Sequence, residues 1–183
     1  MHVWFLGSGN KVMKIIYLEE VDSTNRYLKN MEVNDSVLVF CEKQTNGYGQ
    51  YERSWYKDEK DSIAFSYKYN SLFLIDETYI KKITQRFSEL INSYFGINTY
   101  VKIPNDIYFN DKKLWGVLVE TKYFNDKLES IIIGIGLNIN NENFPEEIKE
   151  IATSIYMETK RRYSINDFRN YLWKYFEDKI IKE

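Results

Sequence analysis

The chain has 183 residues, 44% apolar and 28% charged, with a net charge of −2, which describes one globular domain with a full core and excludes a disordered chain. It shows no clustered basic footprint and no apolar run of membrane-spanning length, so neither nucleic acid nor a bilayer is an expected partner. One histidine, His2, and one cysteine, Cys41, exclude a Ser-His-Asp triad, multi-histidine or thiolate metal sites and an internal disulfide.

The chemistry is therefore left to lysines, carboxylates, arginines, backbone amides or a loosely held cation, in the reducing cytoplasm that a lone cysteine fits. Residues 1–12, "MHVWFLGSGNKV", differ from the rest of the chain, with "GSGN" as a flexible break. They are expected to form an N-terminal extension outside a fold that occupies 13–183; an extra edge strand is the alternative. A first strand is predicted over about 13–19, then a short helix over 24–31 with Asp22 or Ser23 as its N-cap. A strand at 36–42 leads into "QTNGYGQYERSW", a loop long for a hairpin, where Gly47 and Gly49 allow either close backbone approach or positive φ. Another strand is predicted at 61–69.

A helix over 77–95 comes next, its apolar residues Ile80, Ile83, Phe87, Leu90, Ile91 and Tyr94 spaced as one buried stripe, with Gly96 as C-cap. Strands are predicted at 98–103, 106–110, 112–122 and 127–138, joined where "FNDKK" and "FNDK" supply Asn-Asp turn chemistry. A polar stretch over 139–153 precedes a last helix at about 164–181. The order predicts an α+β fold: a mixed or antiparallel sheet packed against helices on one side.

Four stretches could carry chemistry. "VDSTN" at 21–25 reads as a helix N-cap and equally as hydroxyls and free N–H groups facing a polar ligand. The glycine loop offers amides, hydroxyls and a guanidinium. In "VKIPNDIYFNDKKLWGVLVETK", Pro104 keeps Ile103 extended and ends a strand at Lys102. A turn at Asn105-Asp106 and a hairpin then bring Lys113 back beside Gly116. Taken alone, these are the solvated charges of a hairpin tip. In "IIIGIGLNIN", Asn138 falls in a buried strand and needs partners, either within a bulge or from a ligand. G-x-G here lacks the third glycine and the following helix of a nucleotide fingerprint.

In this order and spacing the stretches resemble the biotin protein ligase family, the biotin–[acetyl-CoA-carboxylase] ligases, over about Met13 to Asn140. The most specific part is K-x-P-N-D…K-x-x-G-x-L-V-E from Lys102 to Glu120. The resemblance implies the class II aminoacyl-tRNA-synthetase-like catalytic fold and an ATP-dependent reaction. Biotin and MgATP form biotinyl-5′-AMP and pyrophosphate, and the biotinyl group passes to a specific lysine of a biotin carboxyl carrier protein. It assigns Lys113, Lys102 and Asp106 to catalysis, with Asp106 also toward Mg²⁺. Biotin falls to Ser23, Thr24, Asn25, Gln44, Gly47, Tyr48, Gly49, Gln50 and Lys113. ATP and the adenylate fall to Arg53, Asn105 and Asn138, and Trp55 supports the loop exit. A homodimer through sheet edges is a further implication.

The chain departs from the family's G-R-G-R-x-G-R-x-W loop. It reads Gly47-Tyr48-Gly49-Gln50-Tyr51-Glu52-Arg53, keeping one arginine of three and replacing a glycine by Glu52. Neutral donors hold phosphate less strongly than a guanidinium fork, so weaker adenylate retention is expected, with activity kept. No helix-turn-helix domain and no C-terminal β domain are expected, which would remove any repressor role and weaken nucleotide affinity. The rival readings are a lipoate or octanoate transferase of the same fold, and a non-catalytic binder of biotin or of carrier domains.

Overall fold

The structure, a computed structural model, describes residues 1–8, 11–32, 36–55, 61–69, 76–102 and 105–175. Eight strands form one sheet. In chain order they are β1 (His2–Ser8), β2 (Lys11–Val21), β3 (Ser36–Gln44), β4 (Ser62–Tyr69), β5 (Tyr100–Lys102), β6 (Asp106–Phe109), β7 (Lys112–Phe124) and β8 (Lys127–Asn138). The helices are α1 (Thr24–Lys29), α2 (Glu77–Phe95), α3 (Ile155–Thr159) and α4 (Ile165–Tyr175). Across the sheet the order is β1-β2-β3-β4-β8-β7-β6-β5. The β2–β3 pair is parallel and contains α1 in its crossover, as parallel strands require. The other named strand pairs are antiparallel, so the sheet is mixed and the fold is α+β.

The sheet separates two apolar layers. Leu38 and Phe40 join Phe65, Trp115, Phe87, Leu90, Ile91, Phe95, Phe168 and Leu172 in the larger core under α2 and α4. Val37, Val39 and Cys41, alternating with them on β3, pack with Ile16, Leu18, Ile132 and Leu28 of α1 on the other side. Helices therefore cover both faces, which corrects the one-sided arrangement expected from the sequence. The reason is visible in "VLVFC", an unbroken apolar run that a strand covered on both faces demands.

The N-terminal residues also differ from expectation. His2–Ser8 pairs antiparallel with β2 along its whole length, from His2↔Tyr17 to Ser8↔Lys11, so they join the sheet as its edge strand instead of standing outside the fold. Val3 packs against the α1-side core, and the Trp4 ring lies 6.0 Å from that of Trp173 on α4. Alternation in so short an aromatic segment did not distinguish a tail from an edge.

Local signals hold well elsewhere. Ser23 caps α1, Asp76 caps α2 by accepting from the Tyr79 N–H, and Gly96 ends α2 at φ 67°. Asn110-Asp111 and Asn125-Asp126 all have positive φ, the geometry of the two-residue hairpin turns predicted for them. The helix α3 was not predicted. Its five residues, capped by Ser154, are too few to show a periodic stripe. The last helix is described to Tyr175, and its predicted continuation to about 181 lies outside the described residues.

Candidate functional site

The end of β3, the start of α1 and residues of β4, β6, β7 and β8 line one cavity of about 420 Å³. The four motif stretches all contribute to its lining. Ser23, Thr24, Asn25 and Gln44 line one region, Tyr48 to Gln50 and Arg53 to Trp55 form the loop side, and Asn105, Asp106, Lys113 and Asn138 line another; Phe144, Ile148, Ile151 and Ala152 add an apolar wall.

The polar region is built around the first turn of α1. Gln44 Oε1 accepts from the Thr24 N–H at 2.8 Å and from Thr24 Oγ1 at 3.0 Å. Ser66 Oγ, fully buried on β4, lies 2.7 Å from Thr24 Oγ1 and 2.6 Å from Asn25 Oδ1. Asn25 Nδ2 donates to Glu120 Oε2 at 2.9 Å. A Cβ at position 134 would lie 2.1 Å from Asn25 Oδ1, so the glycine of β8 is what admits this amide.

Glu120 joins three elements. Besides Asn25 it accepts from Tyr48 Oη at 2.8 Å and from Lys29 Nζ at 3.2 Å. Burial pushes its carboxyl up, but donation from Asn25, Tyr48 and Lys29 and the Lys29 charge outweigh that and hold it below the ordinary glutamate range. The same contacts act on Tyr48, whose phenol is pushed up by burial and by the Glu120 carboxylate. Arg26 lies 4.8 Å over the Tyr48 ring while paired with Asp22 at 2.9 Å. The loop is thus tied to α1 and to β7.

The cationic region centres on Lys113. Its Nζ is 2.7 Å from Asp106 Oδ1 and 5.2 Å from the Trp55 ring centroid. The backbone of Lys113 is also fixed: its N–H donates to Ile151 O at 2.8 Å, and its carbonyl accepts from the Thr153 N–H at 2.9 Å. Asn105 Nδ2 donates to Val117 O at 2.6 Å and Asn105 O accepts from the Val117 N–H at 2.9 Å, which extends the β6–β7 pairing beside the ion pair. Asn138 Nδ2 donates to Thr153 O at 3.1 Å, while its buried Oδ1 has no partner among the described residues. An unpaired amide oxygen is costly to bury and is suited to a ligand donor.

The sequence profile of the biotin/lipoate A/B protein ligase family matches residues 17–138, two-thirds of the chain and all four motifs. The chain belongs to that family. Bifunctional ligase/repressor BirA of Bacillus subtilis is 35% identical over 153 residues, covering 77% of this chain and 46% of BirA. The chain therefore spans about half the length of the curated relatives it matches. The biotin protein ligase from Aquifex aeolicus in complex with biotin and ATP is 32% identical, with a TM-score of 0.72, over 90% of this chain and 72% of that one. The Leishmania major biotin protein ligase with biotinyl-5-AMP, at 23% identity and a TM-score of 0.65 over 93% of this chain and 75% of that one, shares the fold.

Most of the expected family site residues come together, with two exceptions. Lys102 does not line the cavity. The β5–β6 register sets it opposite Asp106, but the side chain is exposed and its ammonium lies 4.7 Å over the Tyr108 ring. Gly47 lies behind the wall, where a Cβ would meet Gln44 Nε2 at 2.8 Å, so it serves close approach. Of the two alternatives for the loop glycines, close approach holds at Gly47, while Gly49 is extended and positive φ falls on Tyr51 (58°) and Glu52 (56°). Glu52 thus takes a left-handed backbone at the position where the family pattern has glycine, at a cost of about 1 kcal/mol.

Three contributors were not predicted. Ser66 carried no sequence signal, being one small polar residue within a buried strand. Glu120 stood inside the quoted motif but received no role. The 148–152 wall lay in a stretch read only as a polar connection. Trp55 does more than support the loop: a Cβ at Gly136 would lie 2.3 Å from its Nε1, so it lies flat on β8 and under Lys113.

Among the described residues no group of three or more His, Cys, Asp or Glu could hold a metal ion. Asp106 is the single carboxylate lining the cavity among them, and Lys113 already engages it. That donor set fits a Mg²⁺ brought by nucleotide phosphates, which needs few protein ligands, and does not form a cage of its own. No helix among the described residues is long and apolar enough to cross a membrane.

Proposed function

We propose that this chain activates biotin with ATP and transfers it to a lysine of a biotin carboxyl carrier domain. The observation that carries the reading is one cavity with two chemically distinct regions. Thr24, Asn25 and Gln44 form a hydroxyl-and-amide set suited to a ureido ring, and the Lys113 ammonium in the same cavity supplies the kind of cation an acyl phosphate needs.

In the first step a biotin carboxylate oxygen attacks the α-phosphorus of ATP, a P–O bond forms, and the bond to pyrophosphate breaks. Lys113 neutralises the carboxylate and the developing phosphoryl charge, and Asp106 holds that ammonium in place. Mg²⁺ bound to the phosphates would supply further charge neutralisation, with Asp106 the carboxylate available to it. Asn138, Asn105 and Arg53 line the adenylate region, and Tyr48, Gly49 and Gln50 close over the acyl end. Lys102 acts from outside the lining, at the phosphate approach. In the second step the acceptor lysine amine attacks the acyl carbon, an amide forms, AMP leaves, and the amine loses its proton. A cytoplasmic setting belongs to the same reading, since the reaction consumes ATP.

The test is incubation with biotin, α-labelled ATP and Mg²⁺. Biotinyl-AMP and pyrophosphate are the expected products. Adenylate formed with lipoate but not biotin assigns the chain to the lipoate branch of the family, and none with either leaves a binder without catalysis.

A further inference from the structure

Lys68 is a buried cation that the proposed reaction does not use. It lies on β4 with 1% of its surface exposed. Its cross-strand neighbours are Val37 on β3 and Ile132 on β8, both fully buried. Strand alternation asks for an aliphatic residue at such a position, and an ammonium there is costly unless its donors are engaged.

The C-terminal end of α1 engages them. Lys68 Nζ donates to Met31 O at 2.6 Å and to Leu28 O at 3.3 Å. Met31 O lies just beyond the last turn, Leu28 O also accepts from the Met31 N–H at 3.2 Å, and a cation is favoured beside the carbonyls of a helix C-terminus. Burial and the nearby Lys122 lower the Lys68 pKa, opposed by Glu129 and Glu32.

Ser66, two residues earlier on the same face of β4, contacts the other end of α1 through Thr24 and Asn25. At six residues α1 is too short to be stable by its own hydrogen bonding. Its placement therefore depends on what grips it, and β4 grips it at both ends. The geometry points to Lys68 as a positioning residue that, with Ser66, clamps α1 so that Thr24 and Asn25 face the cavity in the arrangement a ureido ligand needs.

The inference rests on the proposed activation of biotin, and the experiment separates the two. Lys68→Met keeps the length and apolar stem and removes the donors. In pyrophosphate release, the variant is expected to raise KM for biotin about tenfold, the effect of losing a charged hydrogen bond, while KM for ATP and kcat stay within about twofold. Backbone amide exchange over residues 23–29 is expected to accelerate in the same variant, and Lys68→Arg to restore both readouts. If Lys68→Met does not fold, Lys68→Leu, which also removes the donors, carries the same comparison.

A lowered melting temperature with unchanged KM for biotin overturns the inference and leaves Lys68 a fold residue. Equal rises in both KM values overturn it too. If the wild type does not activate biotin, the functional reading falls, and amide exchange over 23–29 still judges the clamp: unchanged exchange refutes it.

Discussion

Replacing Lys113 by alanine separates catalysis from folding. Among the described residues the side chain makes one ion pair, to Asp106 at 2.7 Å, and both partners are about 30% exposed. A pair so accessible to solvent contributes at most about 1 kcal/mol to stability, or roughly 2–4 °C in melting temperature for a domain of this size. The backbone bonds of Lys113 to Ile151 and Thr153 do not depend on the side chain, so the wall around the cavity survives. Removing one group aimed at developing negative charge costs about 2.7–4 kcal/mol of transition-state stabilisation, a factor of about 10²–10³. Lys113→Ala should therefore lower biotin-dependent pyrophosphate release and transfer by about 10²–10³-fold, with a melting curve close to wild type. Near-normal turnover in a folded variant would remove Lys113 from the mechanism and, with it, the claim that the cavity is an adenylation site.

Glu120 titrates below the ordinary glutamate range; its contribution is thus fully present above the unfolded value and lost as pH falls through the lower folded value. Acid melts of Glu120→Gln should show a smaller loss of stability across that window than wild type, and equal losses would refute the network around Glu120. Gln50→Arg should restore a charge-assisted contact about twice as strong as a neutral one and slow the escape of biotinyl-AMP by roughly fivefold in a rapid-filtration assay; no change would show that residue 50 does not reach the adenylate. Gly136→Ala drives a methyl into Trp55 and should cost about 1–3 kcal/mol of stability by thermal melting, together with quenched or shifted Trp55 fluorescence; an unperturbed tryptophan signal would contradict the packing.

Much of the molecule was legible along the chain because its causes are local. The caps at Ser23 and Gly96, the Asn-Asp turns and the buried stripe of α2 each depend on residues within a few positions of one another. The motif spacing then carried the family, and with it the coincidence of Lys113, Asp106, Asn25 and Gln44 in one place. What the chain by itself did not determine is set by contacts between residues far apart in sequence. That β1 pairs with β2, and that α1 crosses to the face opposite α2, depends on which surfaces remain uncovered once the sheet has formed. Glu120 becomes a hub only when β7 stands beside both α1 and the glycine loop, 95 and 72 residues away in sequence. Lys102 and Lys113 are both lysines of one motif, yet the β5–β6–β7 register and the Tyr108 ring leave the first at the surface and bring the second into the cavity. Residue type specified the available chemistry; which side chains meet was decided by strand register and packing, since a side chain acts only on what the folded backbone places within its reach.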